Sequence, residues 1–319
     1  MKFRFIAALA ALLFANEVTS AQTHAHEFGF QSDNDSFLAQ GSDRYYTNGL
    51  FIFYRQALKT NNSTKLANKV LGIELGQKLF NPISGYVPNA SFVDRPFAAY
   101  LYAGANLNLL YKNESNVKLS AQTGTIGPAA LGRQVQNIIH NTFGFYTLNG
   151  WQYQIRNNFQ LNLAAEYNRL LARASWIDVS ASAYANIGTG FNGAGVGPLV
   201  RIGNFNQLFN SVSTQSVSTR NSSTTPLHSH ELFLYYKPQF NYIAYDATVE
   251  GGLFQDSQPG GPEIRSTPNR TMLSQQVGLA YGSKRWVFDL AAVFHTRDVK
   301  TQTFNTHQWG SATILYRFN

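Results

Sequence analysis

The chain contains no cysteine, which rules out a disulfide framework, a thiolate metal site and a cysteine nucleophile. Charge is scarce: 13% of its 319 residues are Asp, Glu, Lys or Arg, about half the roughly 25% of an ordinary soluble domain. Low charge beside 44% apolar residues argues against disorder and against a salt-bridged helical bundle. No segment reaches the ~18 consecutive apolar residues of a membrane helix, so the chain stays soluble or crosses a bilayer as strands. What fills the polar positions instead is 29 Asn and 20 Gln, beside 24 Phe, 17 Tyr and 25 Gly. Amides and aromatics in place of charges suit a β-barrel with a wet interior and an apolar exterior.

The first residues read as an export signal. Lys2 and Arg4 form the positive start, Ile6 to Phe14 the apolar run, and Thr19-Ser20-Ala21 a small-residue cleavage site. This predicts a signal peptide over 1–21 and one barrel domain over 22–319. Without Lys2, Arg4 and Glu17 the mature chain carries 23 basic and 16 acidic residues, a formal +7. The absence of any Lys/Arg-rich stretch argues against nucleic acid and leaves an anionic lipid surface.

Period-two alternation selects strands. Trp286, Phe288, Leu290, Ala292 and Phe294 alternate with Val287, Asp289, Ala291, Val293 and His295, and about ten residues is a membrane-strand length. Leu161 to Asn168 and Gly310 to Phe318 repeat the pattern, which turns Glu166 and Asp289 towards the lumen. Further strands are expected at 26–35, 46–58, 69–80, 97–112, 116–126, 176–188, 193–203, 231–245 and 272–282. The total of about twelve is even, as closure of an all-antiparallel barrel requires. A soluble sandwich also alternates; the export signal and sparse charge favour the membrane. With a periplasmic N-terminus, the connections around 36–45, 81–96, 127–158 and 246–271 face outwards. The Ser/Thr/Asn-rich 204–229 stretch falls on the periplasmic side and reads as a flexible connection.

Three polar clusters share the outer rim: Asp33-Asn34-Asp35 at the end of the first strand, Tyr45-Tyr46-Thr47-Asn48-Gly49 at the start of the second, and His140 in the fifth connection. After Gly127-Pro128, the spacing of Leu131, Val135 and Ile138 or Ile139 predicts a short α-helix, with Arg133, Gln136, Asn137 and His140 on its other face. Carboxylate and amide oxygens in Asp33-Asn34-Asp35 suit a hard cation such as Ca²⁺. Strict alternation puts Asn34 on the face opposite Asp33 and Asp35, so all three serve one site only if the strand ends or bulges there.

The linked runs Asn34-Asp35, Asp43-Arg44-Tyr45-Tyr46-Thr47-Asn48-Gly49-Leu50, Asp94-Arg95-Pro96-Phe97-Ala98, Ile126-Gly127-Pro128, Gln134-Val135-Gln136-Asn137 to His140, and Gly150-Trp151 with Gln154 resemble the lipid A 3′-O-deacylase family of outer-membrane proteins. The order and spacing agree over about residues 27–160; the C-terminal half agrees in barrel pattern. The resemblance implies a twelve-stranded outer-membrane barrel with its site between the wall and an extracellular-loop helix; a monomer is expected. The implied reaction removes the ester-linked 3′-acyloxyacyl chain of lipid A, the lipid anchor of lipopolysaccharide, with Ca²⁺. His140 would be the general base, Asn34 and Asp35 would lie at the cation, and Thr47 would add a hydroxyl. The chain departs from the family in lacking a lysine around Asn81 to Asn89 and an acidic residue shortly after His140. Two other classes remain to compare. A barrel phospholipase places His and Ser two apart on one strand, and no His-x-Ser occurs here; a passive channel needs no polar rim cluster.

Overall fold

The computed structural model describes residues 24–38, 43–60, 63–215 and 225–319. The expected signal peptide lies outside them. Twelve antiparallel strands close into one barrel: β1 His26–Asn34, β2 Tyr45–Ala57, β3 Leu66–Asn81, β4 Ala98–Tyr111, β5 Ser115–Ile126, β6 Asn158–Arg173, β7 Ile177–Gly188, β8 Phe191–Asn204, β9 Glu231–Asp246, β10 Thr271–Gly282, β11 Trp286–Thr296 and β12 Thr306–Phe318. Each strand pairs with its chain neighbours, and β1 joins β12 in the register Phe28↔Tyr316 and Asn34↔Gly310. Closure leaves no unpaired edge for lipid to solvate. One α-helix longer than a single turn stands among the described residues, α1 at Gly132–Phe143, where the apolar spacing placed it.

The alternation separates two surfaces. On β1, Phe28 and Phe30 are exposed on the wall while Glu27 is buried in the lumen; on β3, Ile73 and Leu75 face out while Glu74 accepts a 2.5 Å hydrogen bond from the Tyr102 hydroxyl inside. Lumenal charge is paired: Arg55 and Arg317 both reach Glu27, at 2.7 and 3.3 Å, Lys118 meets Glu166 at 3.2 Å, and Tyr235 donates to Asp289 at 2.9 Å. Buried ions are tolerated only when so matched.

The long connections follow β1, β3, β5, β9 and β11, and they gather at the end opposite the chain termini. Short turns and the described parts of the 205–230 connection lie at the other end, beside the chain termini, the division of long and short connections usual in such barrels. Part of that connection is not a flexible tether. Phe205, Leu208, Ser211 and Thr214 are buried, and two 3-10 turns, Leu208–Asn210 and Val212–Thr214, fold into the mouth. Glu231 accepts from Asn206 N, Ser211 Oγ and Val212 N at 2.7–2.8 Å, Leu208 N donates to Glu114, and Asn108 Nδ2 donates to the Thr214 carbonyl at 2.7 Å. The polar composition that looked like solvated linker satisfies the inner rim of the barrel.

Candidate active site

The end of β1 is built by its own side chains. Asn34 Oδ1 accepts a 2.7 Å hydrogen bond from Ser36 N and turns the chain out of the strand. A 3-10 turn, Asp35–Leu38, begins at once, so the strand ends one residue earlier than the expected 26–35. That break frees Asp35 from the alternation. Asp33 stays in the lumen, where Tyr46 Oη donates to it at 2.7 Å and Gln31 Nε2 at 2.9 Å; Asp35 is buried elsewhere, with Oδ2 accepting from Arg44 N at 3.1 Å and Thr47 Oγ1 at 3.3 Å.

Thr47 gets its direction from a β-bulge. The β2–β3 register slips between Tyr46↔Phe80 and Asn48↔Leu79, which inserts Thr47 as the unpaired residue. Tyr46 points into the lumen on one side of the bulge, and Gly49, Phe51 and Phe53 do so on the other. Thr47 and Asn48 therefore share the outer side. Tyr45, at φ 58°, opens β2 in the left-handed region; its hydroxyl donates to Asp94 at 2.9 Å and accepts from Phe304 N at 3.1 Å. Those anchors hold a conformation that a bulky residue otherwise avoids.

α1 packs against the outside of the wall. Gln77, on the outer face of β3, donates to the Ala130 carbonyl at 2.6 Å. Gly132 sits so close to β4 that a Cβ there would lie 2.4 Å from Ala99 Cβ and 2.6 Å from the Trp151 ring, so only glycine permits the approach. Leu79, Val87, Phe97, Ala99, Ala130 and Trp151 form the apolar cluster beneath. Gly132, Gln136 and His140 are the buried residues of the helix, at the i, i+4, i+8 positions of one face.

His140 is hydrogen-bonded at one ring nitrogen and faces a carboxylate with the other. Nδ1 lies 2.7 Å from the Tyr146 carbonyl; a carbonyl only accepts, so Nδ1 carries the proton. Nε2 lies 3.1 Å from Asp43 Oδ2. Asp43 Oδ1 in turn accepts from Thr47 Oγ1 at 3.4 Å, and Asn81 Nδ2 donates to the Asp43 carbonyl at 3.1 Å. The Phe145 and Tyr146 rings stand edge-on to the imidazole, with centroids at 5.5 and 4.8 Å.

The sequence-predicted residues Asp35, Thr47 and His140 thus come together, linked through Asp43. Asn34 shapes the turn, and its described side-chain bond goes to Ser36. Asp43 is the residue that reading by motif did not single out. It lay in the quoted run as a neighbour of Tyr45, and the carboxylate facing His140 comes from this sequence-distant hairpin rather than from the run after the histidine. Its spacing of four from Thr47 was the available signal.

Two acidic side chains crowd each other here. Burial and the neighbouring Asp43 push the Asp35 carboxyl up to about 8, against the pull of hydrogen bonds from Arg44, Thr47 and Ser36. Burial, with Asp43 beside it, also raises the Tyr146 phenol. Two crowded carboxylates and a hydroxyl are hard oxygen donors of the kind Ca²⁺ takes. Among the described residues no group of three or more His, Asp or Glu is assembled for a metal, so hydroxyl, carbonyl or water oxygens would complete the shell. The site is separate from the lumen: a cavity of about 440 Å³ inside the outer half of the barrel is lined by Asp33, Glu74, Asp246 and Asp298 but by none of Asp35, Thr47 or His140.

Comparison with known proteins agrees with this architecture. The barrel resembles the solved structure of LpxR from Salmonella typhimurium, with a TM-score of 0.72 and 20% identity over 92% of this chain and all of that one. The KdgM porin and the β-domain of the Bordetella autotransporter BrkA give TM-scores of 0.39 and 0.45 at 6% and 9% identity, covering 92% and 93% of this chain and 99% of each. No curated protein matches. The family model described as outer membrane protein LpxR matches residues 5–318. The family likeness therefore runs over nearly the whole length, and the chain belongs to the LpxR family of outer-membrane barrels, the lipid A 3′-O-deacylases.

Proposed function

We propose that this protein hydrolyses the ester-linked 3′-acyloxyacyl chain of lipid A, with His140 as general base and Ca²⁺ at Asp35 and Asp43. The observation that supports it most is the 3.1 Å approach of His140 Nε2 to Asp43, on a carboxylate that Thr47 ties to Asp35. A base, its acidic partner and a hard-cation donor set then share one cleft on the lipid side of the wall.

The residues divide the work. The Tyr146 carbonyl fixes the imidazole tautomer, which leaves Nε2 as the basic nitrogen. Asp43 keeps 21% of its side chain exposed and is shared with Thr47, so it is the partner able to turn aside and admit water to Nε2. Nε2 takes a proton from that water, and Asp43 steadies the imidazolium that results. Asp35, Asp43 and the Thr47 hydroxyl would hold the cation, with Asn34 forming the turn that presents Asp35. A Ca²⁺ held there would supply a positive charge to polarise the ester carbonyl and stabilise the oxyanion. Water serves as the nucleophile, so no serine is required.

Purified barrel incubated with lipopolysaccharide and Ca²⁺ is expected to release an acyloxyacyl group, seen by mass spectrometry of the lipid A. His140→Ala should lower the rate about 10²- to 10⁴-fold while leaving heat-modifiable barrel migration intact. Equal turnover in that variant would remove His140 from the mechanism. Conductance in a planar bilayer without lipid cleavage would favour a channel instead, a reading that the folded 205–215 segment in the periplasmic mouth disfavours.

A further inference from the structure

One buried polar group on the His140 face of α1 takes no part in the proposed hydrolysis. Gln136 is one turn before His140 on the buried face of α1 and is 2% exposed. Its Oε1 accepts a 2.9 Å hydrogen bond from Trp151 Nε1. An indole N–H can only donate, which assigns the carboxamide orientation: Oε1 faces Trp151 and the NH₂ group faces away. That NH₂ group is buried and has no hydrogen-bond partner. Buried amide donors are rarely left without an acceptor, and those that are call for an explanation.

The surroundings hold this donor in place rather than let it relax. Trp151 is itself 2% exposed, packed at a tilt against Phe97 with 5.3 Å between centroids, and the close approach at Gly132 brings the helix onto the same ring. Residues i and i+4 on a helix lie about 5–6 Å apart at Cβ, so the stray donor and the imidazole are neighbours along one seam between helix and wall. His140 Nε2 is the other buried nitrogen on that face without a hydrogen bond, although Asp43 is close to it.

We propose that Gln136 is a catalytic hydrogen-bond donor whose Nε2, aligned by Trp151, binds the carbonyl oxygen of the acyl ester as it becomes an oxyanion. This rests on the hydrolase reading of the same site. As the water oxygen bonds to the carbonyl carbon, His140 takes the water proton and the C=O π pair moves onto the oxygen, where the Gln136 N–H meets it. When the tetrahedral centre collapses, the carbon–oxygen bond to the sugar breaks, its electron pair stays on the sugar oxygen, and the proton passes from His140 to that oxygen. The donor is covered by protein, so entry of the acyl group opens the contact between helix and wall beside Gln136 while the Tyr146 carbonyl stays on His140.

Two variants separate this role from a packing role. Gln136→Glu keeps an oxygen acceptor for Trp151 and removes the NH₂ donor; Gln136→Met removes both. A catalytic donor predicts that each lowers kcat about 10²- to 10³-fold with KM changed only a few-fold. A merely structural Gln136 predicts near-normal kcat in Gln136→Glu, and that result overturns the proposal. A second readout needs no turnover. In the His140→Ala barrel, bound lipid A labelled with ¹³C at the 3′-ester carbonyl should show its C=O stretch shifted to lower frequency than in detergent alone. Adding Gln136→Glu should return the band towards the free position; a band unaffected by Gln136→Glu overturns the proposal. Absence of acyl release from the wild-type barrel would count against the hydrolase reading, while the infrared comparison still decides the role of Gln136.

Discussion

Replacing Asp43 with Asn changes the charge beside Asp35 without changing its shape, and the consequence can be worked out from the site. Asp35 titrates at about 8, against an ordinary carboxylate value near 4. At pH 7 the cation must displace its proton at a cost of about 1.4 kcal/mol, since each pH unit below the pKa is worth that much. Apparent Ca²⁺ affinity should therefore rise about tenfold per pH unit from 6 to 8 and level off above. Calorimetric titration in two buffers of different ionisation heat should count nearly one proton released per Ca²⁺ at pH 7. In Asp43→Asn the steep region moves to lower pH and fewer protons are released at pH 7. It does not vanish, because burial is the larger cause of the shift and remains. The stability sign is fixed by the same group: without cation, folded Asp35 keeps a proton that the unfolded chain gives up, so stability falls as pH rises from about 4 to 8, and Ca²⁺ opposes the fall. Affinity that is flat from pH 6 to 9, with no proton released, would refute the paired-carboxylate account.

Two further outcomes test the frame around the site. Gly132→Val forces methyl groups into Ala99 and Trp151 and should cost about 1–3 kcal/mol in helix docking, read as faster proteolysis within 127–150 with unchanged barrel migration on gels. Arg201→Met leaves Asp178, its buried partner at 2.6 Å, with Arg173 as its remaining cation; the loss should be about 3 kcal/mol, seen as a lower urea midpoint by tryptophan fluorescence, and an unchanged midpoint would contradict it.

The barrel was legible because lipid on one side and a polar lumen on the other enforce period two along every strand. Twelve expected strands match twelve observed ones, with ends differing by a few residues, as at β6, which extends beyond Leu161–Asn168 on both sides. The helix was legible for the same reason at period 3.6. Departures from periodicity were harder. The Asn34 turn and the Thr47 bulge redirect side chains by local hydrogen bonds and one inserted residue, and neither leaves a periodic trace. Asp43 stayed hidden because its partner lies 97 positions away in the chain and meets it only once β2, β3 and α1 are assembled. The 205–215 segment misled by composition, since Ser, Thr and Asn serve a buried polar rim as well as they serve solvent.

Because α1 is docked against the outside of the cylinder, the lipid reactant of the proposed reaction would reach it by sliding in the plane of the external leaflet, without passing through the bore. Encounter is then governed by molecules per unit area rather than per unit volume. Tight lateral packing of neighbouring lipids, or a second protein seated against β2 to β4, would slow the reaction without touching any of the reacting groups.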